Sequence, residues 1–95
     1  MEKLSDSARE TALSGLDGWS FDEKAQAIAR SFKFKDFSEA FAFMTRVALA
    51  AEKADHHPDL SNTYNKVGIA LSTHSAGGVT EKDVALARAI DRIVG

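Results

Sequence analysis

The residues of this chain best suited to chemistry at neutral pH are its three histidines, and two of them are adjacent in Glu52-Lys53-Ala54-Asp55-His56-His57-Pro58-Asp59. Imidazole titrates near neutrality, so each ring can give or take a proton, and a carboxylate such as Asp55 or Glu52 can fix its tautomer. Pro58 biases His57 towards an extended backbone. That ends a helix at this point and turns the two rings in different directions, so that they line a pocket from two sides. The plainer alternative is a solvated pair of loop histidines beside a helix C-terminus. The third histidine, His74, closes an alternating run on the side opposite Val67, Ile69 and Leu71, with Ser72 and Thr73 supplying hydroxyls next to it. A three-histidine zinc site is a further alternative. Against it, consecutive histidines rarely reach one metal, and the usual i, i+4 ligand spacing is missing.

The remaining composition narrows the chemistry. With 95 residues the chain is one domain spanning residues 1–95, and with no cysteine it has no thiol nucleophile, thiolate metal cluster or disulfide frame. A net charge of -2 argues against nonspecific nucleic-acid binding. No apolar run is long enough to span a bilayer, and Met1-Glu2-Lys3-Leu4-Ser5-Asp6 turns polar at once, without the apolar stretch of a signal peptide. The expectation is a cytoplasmic protein. Walker, GxGxxG and GxSxG motifs are all absent.

Elements to position the histidines can be read from periodicity. Leu4 to Ser14 predicts a helix capped by Ser5 or Asp6 and stopped at Gly15. Trp19-Ser20-Phe21 and then Ala25 to Lys35 alternate as strands. Ile28, Phe32 and Phe34 share one face of the second strand, and Arg30, Lys33 and Lys35 are expected to be solvated. Asp36 or Ser38 caps a helix to about Ala54 whose apolar arc is wider than one sheet contact requires, which suggests packing against a partner subunit. Thr63 to Thr73 predicts another strand, Ser75-Ala76-Gly77-Gly78 a loop, and Thr80 the cap of a last helix, with Asp83 completing a capping box. The fold class implied is α+β: two layers, helices on one side of an antiparallel sheet.

Taken in order, Glu52-Lys53-Ala54-Asp55-His56-His57-Pro58, Tyr64-Asn65-Lys66-Val67, Leu71-Ser72-Thr73-His74, Gly78-Val79-Thr80 and Asp83 closely resemble the signature of the pterin-4a-carbinolamine dehydratases. The similarity extends upstream to Trp19, to Arg30 through Phe37 and to the aromatic-rich helix that follows. It implies a hydro-lyase that removes water from 4a-hydroxytetrahydropterin during tetrahydropterin recycling, without cofactor or metal. It also implies a sheet of about four strands with three helices on one face, the fourth strand falling near Asp59 to Asn62.

Carried over position by position, the resemblance makes His56, His57 and His74 the catalytic histidines, with Glu52, Asp55, Thr73 and Asp83 binding substrate or orienting the rings. The partners it implies are a pterin substrate, a second copy or more in a homodimer or homotetramer, and a functional link to an aromatic amino acid hydroxylase. No nucleic acid or membrane is implied. The alternative function is an interaction protein that stabilises a partner's dimerisation helices through the helix surface around Phe43, Val47 and Leu49. One departure is Leu60, which stands where family members often carry an aromatic. The expected consequence is weaker stacking on the pterin or a different preferred side chain.

Overall fold

The computed structural model describes all 95 residues. The chain runs α1 (Asp6–Ser14), β1 (Ser20–Asp22), β2 (Ala27–Lys33), α2 (Phe37–Ala54), β3 (Asp59–Thr63), β4 (Lys66–Leu71), a single 3-10 turn (His74–Ala76) and α3 (Glu81–Val94). The four strands form one antiparallel sheet in the order β1-β2-β4-β3, and the three helices cover one of its faces. The fold is therefore the two-layer α+β class that the patterning implies.

Register sorts the side chains between the two faces. Ile28 pairs with Leu71, Arg30 with Ile69 and Phe32 with Val67, and these residues face the helices. Ala29 opposite Ala70, Ser31 opposite Gly68 and Lys33 opposite Lys66 face away from them. On the covered side Ile28, Val67, Ile69 and Leu71 meet Ala40, Phe43, Val47 and Ala51 of α2 and Val84, Ala87 and Ile90 of α3 in one core. Each such large side chain contributes roughly 1.5–3 kcal/mol by leaving water. Phe43 holds two other rings, with centroids 4.8 Å from Phe32 and 4.9 Å from Phe34.

Local chemistry sets the boundaries. Ser5 caps α1, Asp36 caps α2 through its bond from the Glu39 amide, and Thr80 caps α3 in a full capping box with Asp83. The second strand is shorter than its alternation suggests, because Gln26 adopts a left-handed backbone (φ 52°) just before it. The run from Thr63 to Thr73 is not one strand. Tyr64, also left-handed at φ 52°, turns the chain between Thr63 and Lys66. The residues before it form β3, which is the strand expected near Asp59 to Asn62. Side chains in that strand are mostly exposed, so it has no hydrophobic period to read.

Two expectations about individual side chains are overturned. Arg30 does not join Lys33 in a solvated row. Its even position turns it to the covered side, where its guanidinium lies 4.5 Å from the Phe32 ring centre and 2.7 Å from Asp91 Oδ1. The same Asp91 oxygen accepts from Trp19 Nε1 at 2.8 Å. On α2, Phe43 and Val47 are buried in the protein's own core, at 4% and 0% exposure, so they offer no docking surface. Leu49, the third residue of that expected surface, is exposed, and so are Phe37 and Phe41 on the same helix.

Candidate active site

The two adjacent histidines are separated by the way α2 ends. Asp55 takes a left-handed conformation (φ 51°, ψ 43°), its amide returns to Ala51 and Glu52, and the His56 amide also bonds back to Ala51 O at 3.1 Å. This closes the last turn and reverses the chain. His56 then points inward and His57 outward.

His56 meets the start of α3. Its Nε2 is 2.5 Å from Asp83 Oδ1, with the histidine side chain 11% exposed and the aspartate fully buried. Asp83 Oδ2 accepts from Thr73 Oγ1 at 2.8 Å and from the Thr80 amide at 2.8 Å. Asp83 thus both caps α3 and orients an imidazole. Because an ionised carboxylate offers only acceptors, the nitrogen facing it carries the hydrogen, and Nδ1 of His56 is left for other work.

His57 is arranged alike on a separate carboxylate: its Nε2 stands 2.6 Å from Glu52 Oε1, one turn back on α2. This pair is open to solvent, with side-chain exposures of 59% and 75%, so the attraction itself is weak. What it sets is orientation, again leaving Nδ1 free.

His57 and His74 line one depression of about 470 Å³ on the uncovered side of the sheet, together with Ala25, Ala27, Pro58, Asp59, Ala70 and Ser72. His56 opens instead onto a smaller depression between α2 and α3, of about 250 Å³, beside Lys82 and Leu86. The three rings of this chain therefore do not share a single cavity. No group of three or more His, Asp or Glu side chains in the chain comes together in a way that could hold a metal ion.

His74 is not the last residue of a strand. It opens the 3-10 turn His74–Ala76, which Gly77 ends with φ 75°, and paired bonds between Thr73 and Gly78 close the loop. Thr73 is buried with its hydroxyl committed to Asp83, and Asp55 serves the chain as the left-handed end of α2. Leu60 pairs with Ile69 on the covered side and packs on the core, whereas its neighbour Asp59 lines the depression. Leu60 is thus on the opposite side of the sheet from His57 and His74. Thr80 is a member of the network that the sequence pattern marks only as a cap. Its hydroxyl is 2.7 Å from that of Thr73, a contact no local spacing announces.

Comparison with known proteins agrees across the whole chain. The family model described as Pterin 4 alpha carbinolamine dehydratase matches residues 2–93. A relative from Rhodospirillum rubrum is 56% identical over 94 residues, covering 99% of this chain and 98% of its own length. One from Mesorhizobium japonicum is 57% identical over 94 residues, covering 99% and 96%. Both are designated, by inference, pterin-4-alpha-carbinolamine dehydratases. The crystal structure of a transcriptional coactivator/pterin dehydratase from Brucella melitensis superposes with a TM-score of 0.95 at 52% identity, covering 99% of this chain and all of that one. A pterin dehydratase-like RuBisCO assembly factor of the alpha-carboxysome shares the fold, with a TM-score of 0.70 at 24% identity, over 82% of this chain and 90% of that one.

Proposed function

The chain belongs to the pterin-4a-carbinolamine dehydratase family, and from that premise we propose that His56 and His57 divide the two proton transfers of the dehydration while His74 positions the substrate or stabilises charge. The protein is a hydro-lyase that converts 4a-hydroxytetrahydropterin to quinonoid dihydropterin and water in tetrahydropterin recycling. In that step the bond from C4a to oxygen breaks, and the hydroxyl departs as water with a proton from a general acid. A general base takes the proton from N5, and the electron pair left there closes the double bond between N5 and C4a. Oxidation state does not change, so the demand on the protein is two well-placed proton transfers.

The observation that carries the assignment is the matched pair of carboxylates. Asp83 holds Nε2 of His56 and Glu52 holds Nε2 of His57, so each ring keeps Nδ1 as its working atom. A neutral ring accepts a proton at Nδ1, and a charged ring donates one there. The depression beside His57 and His74 supports a pterin seat against the small residues Ala27 and Ala70, with Asp59 at its edge, and the share of the chemistry given to His56 requires a substrate that extends from this seat to the neighbouring depression where the His56 ring opens. The test is to supply enzymatically generated 4a-hydroxytetrahydropterin and follow its loss in the ultraviolet. Equal rates with protein and with buffer would refute the activity.

The assembly belongs to the same proposal. Phe37, Phe41 and Leu49 are 47%, 54% and 67% exposed along the open side of α2, which supports a homodimer or homotetramer joined through that helix. The same surface supports the second reading, a partner's helices docked on α2. A His57→Ala protein that kept such a partner while losing dehydration would separate the two. A cytoplasmic setting and a link to an aromatic amino acid hydroxylase complete the proposal. No helix is long and apolar enough to cross a membrane.

A further inference from the structure

We propose that Thr80 is a positioning residue for the dehydration, acting through Thr73 and Asp83 to hold the His56 ring with Nε2 protonated and Nδ1 turned out. The proposal rests on the reading of His56 as a proton-transfer group. Its basis is the direction of every hydrogen in a buried chain. Asp83 Oδ2 offers only lone pairs, so the single hydrogen of Thr73 Oγ1 goes to it, across 2.8 Å. The hydroxyl of Thr80, 2.7 Å from Thr73 Oγ1, must then donate to Thr73. Thr80 Oγ1 in turn accepts from the Lys82 amide at 3.2 Å. One directed series therefore runs from Lys82 N–H through Thr80 and Thr73 to Asp83, whose other oxygen accepts from His56.

A helix cap does not need this. The capping box is complete with the Thr80 hydroxyl on a helix amide and Asp83 on the Thr80 amide. The additional Thr73 bond reaches outside the helix, to the residue just before His74. Thr80 and Asp83 are both at 0% exposure and Thr73 at 8%, so water cannot substitute for a missing hydroxyl. Without the Thr80 hydrogen, Thr73 Oγ1 lacks its donor, its own bond to Asp83 Oδ2 weakens, and the carboxylate that faces His56 is held less firmly, so the His56 tautomer is less strictly specified. The backbone of Thr73 also closes the base of the loop that carries His74, its amide donating to Gly78 O at 2.8 Å.

The test compares three variants of the full chain. Thr80→Val keeps the shape and removes the hydroxyl, Thr80→Ser keeps the hydroxyl, and Thr73→Val breaks the series while leaving the capping box whole. Each is assayed for kcat and KM with 4a-hydroxytetrahydropterin and by nitrogen NMR of ¹⁵N-histidine protein. Thr80→Val and Thr73→Val should lower kcat about tenfold with KM changed less than about twofold, while the His56 nitrogens move from one tautomer to a mixture. Thr80→Ser should restore both readouts. Normal kcat in a folded Thr80→Val protein would overturn the proposal. So would a kcat loss with unchanged His56 nitrogen signals, which marks a structural effect only. If Thr80→Val does not fold, the same kcat and nitrogen criteria apply to Thr73→Val. A wild-type protein without dehydratase activity would refute the functional reading, while the nitrogen spectra still report whether Thr80 sets the ring.

Discussion

Asp83 Oδ1 lies 2.5 Å from His56 Nε2, joining the end of α2 to the start of α3 across 27 residues of sequence. One carboxylate, itself fully buried, thereby accepts from the Thr80 amide, a threonine hydroxyl and an imidazole. The site and the helix packing depend on the same buried oxygen atoms.

Asp83→Asn tests that dependence. The Thr80 amide is an obligatory donor to Oδ2, so the asparagine oxygen must occupy that position and its NH₂ must face His56. A donor there requires an unprotonated Nε2, which moves the ring hydrogen to Nδ1. The rate should fall by about 10² with the fold retained, because the tautomer is wrong. Circular dichroism and the dehydration assay decide it, and a loss under about threefold would contradict the orientation assigned to His56.

The two adjacent histidines should separate in their effect on stability. His57→Ala should reduce the rate by about 10² or more and leave the urea midpoint near that of the wild type, since its ring is 59% exposed. His56→Ala should also cost about 3 kcal/mol, because it leaves the buried Asp83 charge without its partner. Equal unfolding midpoints for the two variants would count against the buried pair.

Arg30→Met removes the ion pair to Asp91 and the stacking on Phe32. The expected cost is about 1 kcal/mol, given that both ionic side chains keep some solvent contact. Trp19, the only tryptophan, shares Asp91, so its fluorescence should shift while the dehydration rate stays unchanged. A rate loss beyond about threefold would place Arg30 in the site after all.

Phe41→Glu puts a charge in the middle of the open α2 face, where Phe37 is its neighbour at 5.7 Å between ring centres. If that face joins subunits, light scattering should report a smaller species than the wild type. An unchanged mass would reject α2 as the interface.

What is legible in the sequence follows from where the signals are stored. Caps and periods are local, so Ser5, Asp36, Thr80 and the alternation of Val67, Ile69 and Leu71 can be placed from sequence alone. β3 cannot be found by period, because its side chains are mostly exposed and its existence rests on backbone pairing with β4. Arg30 is misplaced when its charge is weighed above its parity. Burial at that position is made tolerable by Asp91, 61 residues away. Phe43 and Val47 look like a docking surface in sequence because a wide apolar arc does not reveal which part faces the sheet.

By itself the sequence determined the chemical inventory: three imidazoles, no thiol, and the order of His56-His57-Pro58, Thr73-His74 and Asp83 along one small α+β domain. Residue types and spacing are local quantities, and they show that proton transfer is available; the resemblance of their order to the pterin-4a-carbinolamine dehydratases is what names the reaction. Only the tertiary structure decided the partnerships, giving Asp83 to His56, Glu52 to His57 and Thr80 to Thr73. The bonds of Asp83 and Thr80 depend on how α2, α3 and the end of β4 meet, which packing between distant segments sets, while that of Glu52 depends on the left-handed turn at Asp55 that ends α2.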